Sequence, residues 1–77
     1  MLATWLIDTI KIVLTINGTT HVFEKEISLD ELLQQLDLSD HPCAVEVNKT
    51  LVGHQERNEC TIHDGDNIEI VTLVGGG

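Results

Sequence analysis

Hydrophobic side chains occupy every second position near the start of the chain. Lys11 and Thr15 lie between them, and this period of two is typical of a strand buried on one face. The alternating residues are Ile10, Ile12, Leu14 and Ile16. Asn17 and Gly18 follow, and this pair favours a type I′ hairpin turn because both residues tolerate positive φ. A second, antiparallel strand is therefore predicted over residues 20–24.

A helix is predicted next, because the hydrophobic spacing changes from two to three and four. The apolar stripe consists of Leu29, Leu32, Leu33 and Leu36. Ser28 and Glu31 can form a capping box, in which each side chain accepts a hydrogen bond from the other residue's backbone amide. Residues 29–37 are therefore predicted to be helical, and residues 39–42, which end in Pro42, are expected to stop the helix.

The second half of the chain returns to the alternation of strands. Residues 43–47 and 67–71 alternate clearly, and residues 48–51 are interpreted as a turn into a short strand. Gly65 supplies the positive φ of the turn that leads into the last strand.

This order of elements predicts an α+β fold. One helix can cover only one face of one sheet, so we expect a roll in which a mixed sheet of four to five strands carries one main helix on one face. The first and last strands should be parallel neighbours in the middle, because a crossover that contains a helix joins parallel strands. The domain is predicted over residues 10–74, with an N-terminal extension at 1–9 and a flexible glycine tail at 75–77.

Charge narrows the choice of partners. Four basic and thirteen acidic side chains give a net charge of 4 − 13 = −9 in 77 residues. A chain of this length forms one small domain without room for a deep active site. Nucleic acid and anionic membranes are poor partners, because both require a positive surface. A protein with a basic docking site fits better.

The first seven residues are apolar, but they lack a basic start and are followed by Asp8. We therefore interpret them as a loosely held extension rather than as a signal peptide or a membrane span. A contact arm anchored by Trp5 is the alternative.

Cysteine and histidine suggest no metal site. Cys43 and Cys60 are interpreted as small hydrophobic side chains in a reducing compartment, with a disulfide or a reactive thiol as alternatives. The histidines show neither a helical pair nor a neighbouring cysteine cluster, so no metal is assigned. They are His21, His41, His54 and His63.

Three glycines, Gly75, Gly76 and Gly77, follow the last predicted strand. Such an end can enter a narrow channel of another protein as an extended strip, because no Cβ obstructs it and its amides remain free. Its carboxylate would first need a leaving group, which attack on the α-phosphate of ATP supplies as an acyl-adenylate, with Mg²⁺ held by the partner. A persulfide could then replace AMP and leave a thiocarboxylate on Gly77.

Residues 10–77 resemble the ThiS family of sulfur carriers of thiamine biosynthesis. The resemblance lies in the order and spacing of several short segments rather than in any one motif. These segments are residues 16–18, 28–36, 44–48, Asp64 to Asp66, 68–71, and Val74 with the three glycines.

The resemblance implies a ubiquitin-like β-grasp fold and a chain that is a protein cosubstrate without catalytic residues. Gly77 would be adenylated by a ThiF-like enzyme, converted to a thiocarboxylate with sulfur from a donor protein, and used by a ThiG-like thiazole synthase. Gly75 and Gly76 would thread the partner's channel. ATP and Mg²⁺ would belong to the activating partner, no cofactor would bind this chain, and the expected compartment is the cytoplasm, with an organelle stroma as the alternative.

One departure from the family concerns the loop at residues 51–57. Gly53 and His54 stand where many relatives have Pro-Arg, so Arg57 is given no docking role.

Three rival functions share this fold. A molybdopterin-synthase small subunit of the MoaD type usually has prolines before its glycines, whereas Pro42 is the only proline here. A protein modifier that forms isopeptide bonds differs only in the fate of the activated end. An interaction module with an inert tail is the third.

A docking surface is predicted at the end of the last strand. Val71, Leu73 and Val74 would form an apolar patch rimmed by Glu46 and Glu69. The alternative is that Val71 and Leu73 complete the core.

Overall fold

The structure is a computed structural model, which describes residues 11–73. The predicted extension at 1–9 and the glycine tail at 75–77 lie outside the described residues. The strands are β1 (Ile12–Ile16), β2 (Thr19–Phe23), β3 (Ile27–Ser28), β4 (Cys43–Val47), β5 (Thr50–Val52), β6 (Thr61–Ile62) and β7 (Asn67–Thr72). Helix α1 covers Leu29–Gln35, and a 3₁₀ helix covers His54–Glu59.

The main sheet is mixed and five-stranded, in the order β2-β1-β7-β4-β5. β1 and β7 are parallel neighbours, and the other pairs are antiparallel. β3 and β6 form a separate two-stranded antiparallel sheet. The predicted α+β roll and its parallel pair of first and last strands are therefore confirmed, and β7 occupies the centre of the sheet.

Positive φ angles define the two hairpin turns. Asn17 and Gly18 have φ of 50° and 84°, as the predicted type I′ turn requires. Asn48 and Lys49 repeat this geometry between β4 and β5, with φ of 52° and 71°. Gly65, with φ of 88°, makes the turn before β7.

Helix α1 begins as predicted and ends earlier than predicted. Ser28 and Glu31 form the capping box, with both side chain to backbone bonds at 3.1 Å. The prediction of a helix over residues 29–37 is wrong at its end, because Asp37 adopts φ of 61°. Its amide donates to the Gln34 carbonyl, and the Leu38 amide donates to the Leu33 carbonyl at 2.8 Å. This is a Schellman motif with aspartate where glycine is usual.

The core lies between α1 and one face of the main sheet. Alternate residues of β1, β4 and β7 point toward the helix, as their period of two requires. The buried hydrophobic residues are Ile12, Leu14, Ile16, Ile27, Leu29, Leu32, Leu33, Val45, Ile62, Ile68 and Ile70. The residues between them on the same strands form the open face of the sheet, which no described element covers.

The 3₁₀ helix and the small β3-β6 sheet were not predicted. The helix begins with a bond from the Gly53 amide to the Glu56 carboxylate at 3.1 Å. A proline at position 53 could not donate this bond, because it lacks a backbone N–H. Residues 53–59 contain no regular spacing of hydrophobic side chains, so the sequence did not indicate a helix there.

The candidate docking face and the root of the tail

The last strand, β7, is held on both sides by main-chain bonds and also by side-chain bonds, of which those of Asn17 reach its middle. The Asn17 amide group donates to the Ile70 carbonyl at 3.0 Å, and its oxygen accepts from the Ile70 amide at 2.8 Å. The Asn17 backbone amide also donates to the Ile68 carbonyl at 2.9 Å. Asn17 therefore continues the parallel β1-β7 pairing beyond the end of β1, a role that its turn propensity did not reveal.

The start of β7 is fixed by the turn at Asp64 and Asp66. The Asp64 carboxylate accepts from the Val13 amide, and the Asp66 carboxylate accepts from the His63 amide, each at 2.7 Å. The Asn48 side chain donates to Asp66 and accepts from the Asn67 amide, each at 2.9 Å. Short polar side chains thus attach β7 to both neighbouring hairpins.

The end of β7 is fixed by hydrogen bonds up to Leu73, the last described residue. Thr72 pairs with Cys43 at the end of the β4-β7 ladder, and the Leu73 amide donates to the Pro42 carbonyl at 2.8 Å. We call Val71, Thr72 and Leu73 the tail root. The other predicted site residues, Val74, Gly75, Gly76 and Gly77, lie outside the described residues, so the structure brings only part of the predicted site into view.

The tail root is exposed, and two of its three side chains are apolar. Val71 is 61% exposed and Leu73 is 56% exposed, so neither residue completes the core and that alternative is wrong. Val71 pairs with Ala44 on β4. Two residues further along β4, Glu46 pairs with Leu51 of β5, which is 66% exposed. Two residues of the predicted patch, Val71 and Leu73, are therefore exposed apolar side chains, and their docking role stays a prediction.

Two acidic residues lie directly opposite each other beside this patch. Glu46 on β4 and Glu69 on β7 are register partners, and they alternate with the buried Val45 and Ile70. Both carboxylates therefore project from the open face. Like charges in this arrangement repel each other across the strands.

Arg57 lies on the covered side of the sheet and is only 7% exposed. Its Nη2 donates to the Cys43 carbonyl at 2.6 Å, next to the point where β4 meets the end of β7. Within the described part of the chain, its buried Nε has no hydrogen-bond partner. The structure thus makes Arg57 a support of the strand pair that carries the tail, and burial keeps it from a docking surface.

Both cysteines are free and pack, partly buried, against the core. This agrees with their interpretation as small hydrophobic side chains rather than as a disulfide. Burial raises the pKa of the Cys60 thiol, and the nearby carboxylates of Asp66 and Glu56 raise that pKa further. A raised pKa makes Cys60 a poor nucleophile, because the thiolate is the reactive form.

Among residues 11–73, no group of three or more His, Cys, Asp or Glu side chains is placed to hold a metal ion. No helix in the same range is long and apolar enough to cross a membrane. The open face of the described sheet is apolar and acidic, and the reactive chemistry predicted for the chain falls on its last residues.

A helix packed across a mixed five-stranded sheet, with parallel first and last strands at its centre, defines the β-grasp fold of ubiquitin-like proteins. The model of the ThiS family matches residues 10–77. A solved structure of the thiamine biosynthesis protein ThiS from Geobacter metallireducens superposes with a TM-score of 0.74 at 28% identity, covering 86% of this chain and all of that one (100%).

Relatives agree with the family match. The sulfur carrier protein ThiS of Bacillus subtilis is 35% identical over 65 residues, which are 83% of this chain and 98% of the relative. An uncharacterized protein, ycf40, of Porphyra purpurea is 39% identical over 62 residues, 80% of this chain and 87% of the relative. A thiazole synthase of Paramagnetospirillum magneticum is 34% identical over 64 residues, 83% of this chain and 20% of that protein.

The chain belongs to the ThiS family. It is a sulfur carrier in thiamine biosynthesis, as the resemblance of its sequence predicted.

Proposed function

We propose that this chain carries its sulfur as a thiocarboxylate on Gly77 and acts as a protein cosubstrate of partner enzymes, not as an enzyme. Membership of the ThiS family is the observation that carries this proposal. The way the fold holds β7 supports it. The chain is bonded up to Leu73, and four residues remain beyond it. A fixed root followed by glycines suits delivery of a terminal group into another protein.

The proposed chemistry has three steps. A Gly77 carboxylate oxygen attacks the α-phosphate of ATP on an adenylating enzyme, pyrophosphate leaves, and an acyl-adenylate forms. A persulfide on a sulfur-donor protein then attacks the acyl carbon, AMP leaves, and an acyl disulfide forms. A thiol reduces the sulfur–sulfur bond of that disulfide and leaves the thiocarboxylate on Gly77. ATP and Mg²⁺ are bound by the adenylating enzyme, whose metal stabilises the phosphate charge.

Thiazole synthase is the proposed acceptor of the sulfur. The match with one fifth of a thiazole synthase supports this choice, because a segment similar to this chain is part of that protein. A second thiazole synthase, from Magnetococcus marinus, shows the same relation over 19% of its length. Joining two binding partners in one chain raises their effective concentration for each other.

The tail root and Val74 are proposed to dock on the adenylating enzyme. Val71 and Leu73 are exposed apolar side chains next to the start of the tail. Burial of such side chains against a partner is favourable at about 25 cal/mol per Å². ATP-dependent activation and thiol chemistry both suit a reducing compartment, so we place the protein in the cytoplasm or an organelle stroma.

Mass spectrometry of the intact chain tests the proposal. After incubation with ATP, the adenylating enzyme and a sulfur donor, we expect one oxygen of the chain to be replaced by sulfur, at the C-terminus. A chain that lacks Gly76 and Gly77 is the control and should remain unchanged. If the complete chain gained no sulfur, or if the truncated chain still supported growth of a thiamine-requiring cell, the proposal would be wrong.

A charge substitution tests the docking patch separately. Leu73→Lys should leave folding intact, because the side chain is exposed, and should raise the KM of the adenylating enzyme for the carrier. Lys in place of the exposed Val22, far from the tail root on β2, is the matched control. Equal KM values for both variants would contradict the docking role of the tail root.

A further inference from the structure

We propose that Glu46 and Glu69 together receive an arginine side chain of the adenylating enzyme and thereby fix how the open face docks. This inference rests on the proposed function of Gly77. It adds a specific charged contact to the apolar patch and states the chemistry of the group on the partner.

The geometry of the pair suits one shared cation. Glu46 and Glu69 are directly opposite across β4 and β7, one pair from the end of their shared ladder. Opposite side chains on one face have Cβ atoms about 4.5–5.5 Å apart. A planar guanidinium presents five N–H donors in a fixed fork, so it can donate to both carboxylates at once, whereas an ammonium group acts as a single point charge.

Within residues 11–73, the pair has no basic side chain within ion-pair distance. Among the described residues, ion pairs within 4.0 Å involve only His63. Arg57 is buried and bonded to the Cys43 carbonyl. Two facing carboxylates destabilise the free sheet, and a cation supplied by a partner removes that repulsion. The net charge of −9 favours the approach of a basic surface in the same way.

Reach connects this pair to the reactive end. A fully extended chain spans at most about 3.6 Å per residue, so the four residues after Leu73 carry Gly77 no farther than about 14 Å from the tail root. An enzyme that acts on Gly77 must therefore come close to the tail root, which follows Glu69 on β7. An adenylating enzyme is the partner of choice, because cationic side chains surround a site that binds ATP and its phosphate charges.

The test uses the complete chain with the double substitution Glu46→Gln and Glu69→Gln. The control is Glu24→Gln with Glu59→Gln, which makes the same change of net charge at exposed positions outside the open face. ATP–pyrophosphate exchange by the adenylating enzyme gives KM for the carrier and kcat. We expect the Glu46→Gln, Glu69→Gln variant to raise KM about tenfold or more, because this is the affinity lost with hydrogen bonds to a charged group. Its kcat should be unchanged.

A second measurement separates docking from a structural role. Removing the facing charges should raise the urea midpoint of the free chain while it weakens docking, so the two effects have opposite directions. Added salt should raise KM more for the natural chain than for the double variant. A structural role alone would not produce this combination.

Three results would overturn the inference. An unchanged KM, or one that shifts no more than in the control, would exclude the shared arginine. An effect confined to the thiazole synthase step would assign the pair to another partner. If the natural chain supported no ATP–pyrophosphate exchange, the proposed function itself would be refuted. In the first two results the natural chain remains active, so the failure of the inference and the failure of the proposed function can be told apart.

Discussion

The two faces of the central sheet are built from the same strands and serve different purposes. On β7, Ile68 and Ile70 point toward α1 and are almost fully buried, whereas Glu69 and Val71, at the alternate positions, are exposed. A shift of one residue along a strand therefore moves a side chain from the core to the surface. The covered face holds the fold together, and the open face remains accessible to a partner.

The difference also separates stability from recognition. On the covered face, the side chains of α1 fill the space above the sheet, and a change there must be accommodated by close-packed neighbours. On the open face, Val71 and Leu51 have solvent as their neighbour, so their substitution changes the surface seen by other proteins. Mutations on the two faces should thus have separable effects.

Truncation on each face gives the largest expected contrast. Leu32→Ala removes a side chain with 0% exposure and should lower the free energy of unfolding by about 2–5 kcal/mol. Val71→Ala, at 61% exposure, should change it by no more than about 0.5 kcal/mol. Urea unfolding followed by circular dichroism measures both values. Similar losses for the two variants would show that the open face also supports the fold.

Sequence patterns predicted the covered face well, because periodicity records burial directly. The stripe of Leu29, Leu32 and Leu33 and the alternation in β1 identified both sides of the core. Exposure of Val71 could not be decided from sequence, since the core could equally have ended on either side of the final strand. The structure shows which side Val71 occupies: it pairs with Ala44, and the next pair along the ladder is the buried Val45 and Ile70, which point to the opposite face.

Long-range polar contacts were beyond prediction from sequence. Asn17 was recognised as a turn residue, but its two bonds to Ile70 join positions 53 residues apart. Asp37 in a left-handed conformation replaced the glycine that usually signals the end of a helix. Arg57 belongs to a polar segment without hydrophobic period, so its burial depended on the packing of the whole covered side.

Arg57 tests whether the covered side also contains a docking residue. Arg57→Ala should lower the free energy of unfolding by about 1–3 kcal/mol, because it removes a buried side chain and leaves the Cys43 carbonyl without its donor. Arg57→Met keeps a long apolar stem and should lose less, since burial of the charge itself is costly. Urea unfolding compares the two variants.

Adenylation supplies the matching functional measurement. Under conditions in which both Arg57 variants are folded, the adenylating enzyme should have the same KM for them as for the natural chain. A raised KM in a variant of undiminished stability would place Arg57 at the docking surface and would blur the separation between the two faces.

The smallest expected effect concerns Cys60, whose partly buried thiol packs against the core. Its raised pKa lowers the thiolate fraction, so alkylation by iodoacetamide near the ordinary thiol pKa of about 8.5 should be slower than for the same thiol in the urea-unfolded chain. A Cys43→Ala background leaves Cys60 as the one reacting thiol.

The raised pKa also makes stability depend on pH, because the folded state holds the Cys60 proton more tightly than the unfolded state does. The contribution of Cys60 to stability is therefore complete below the pKa of the unfolded thiol, and it is lost as the pH rises through the pKa of the folded thiol. Equal alkylation rates in the folded and unfolded chains at every pH would show that Cys60 is as open to solvent as the residues of the open face.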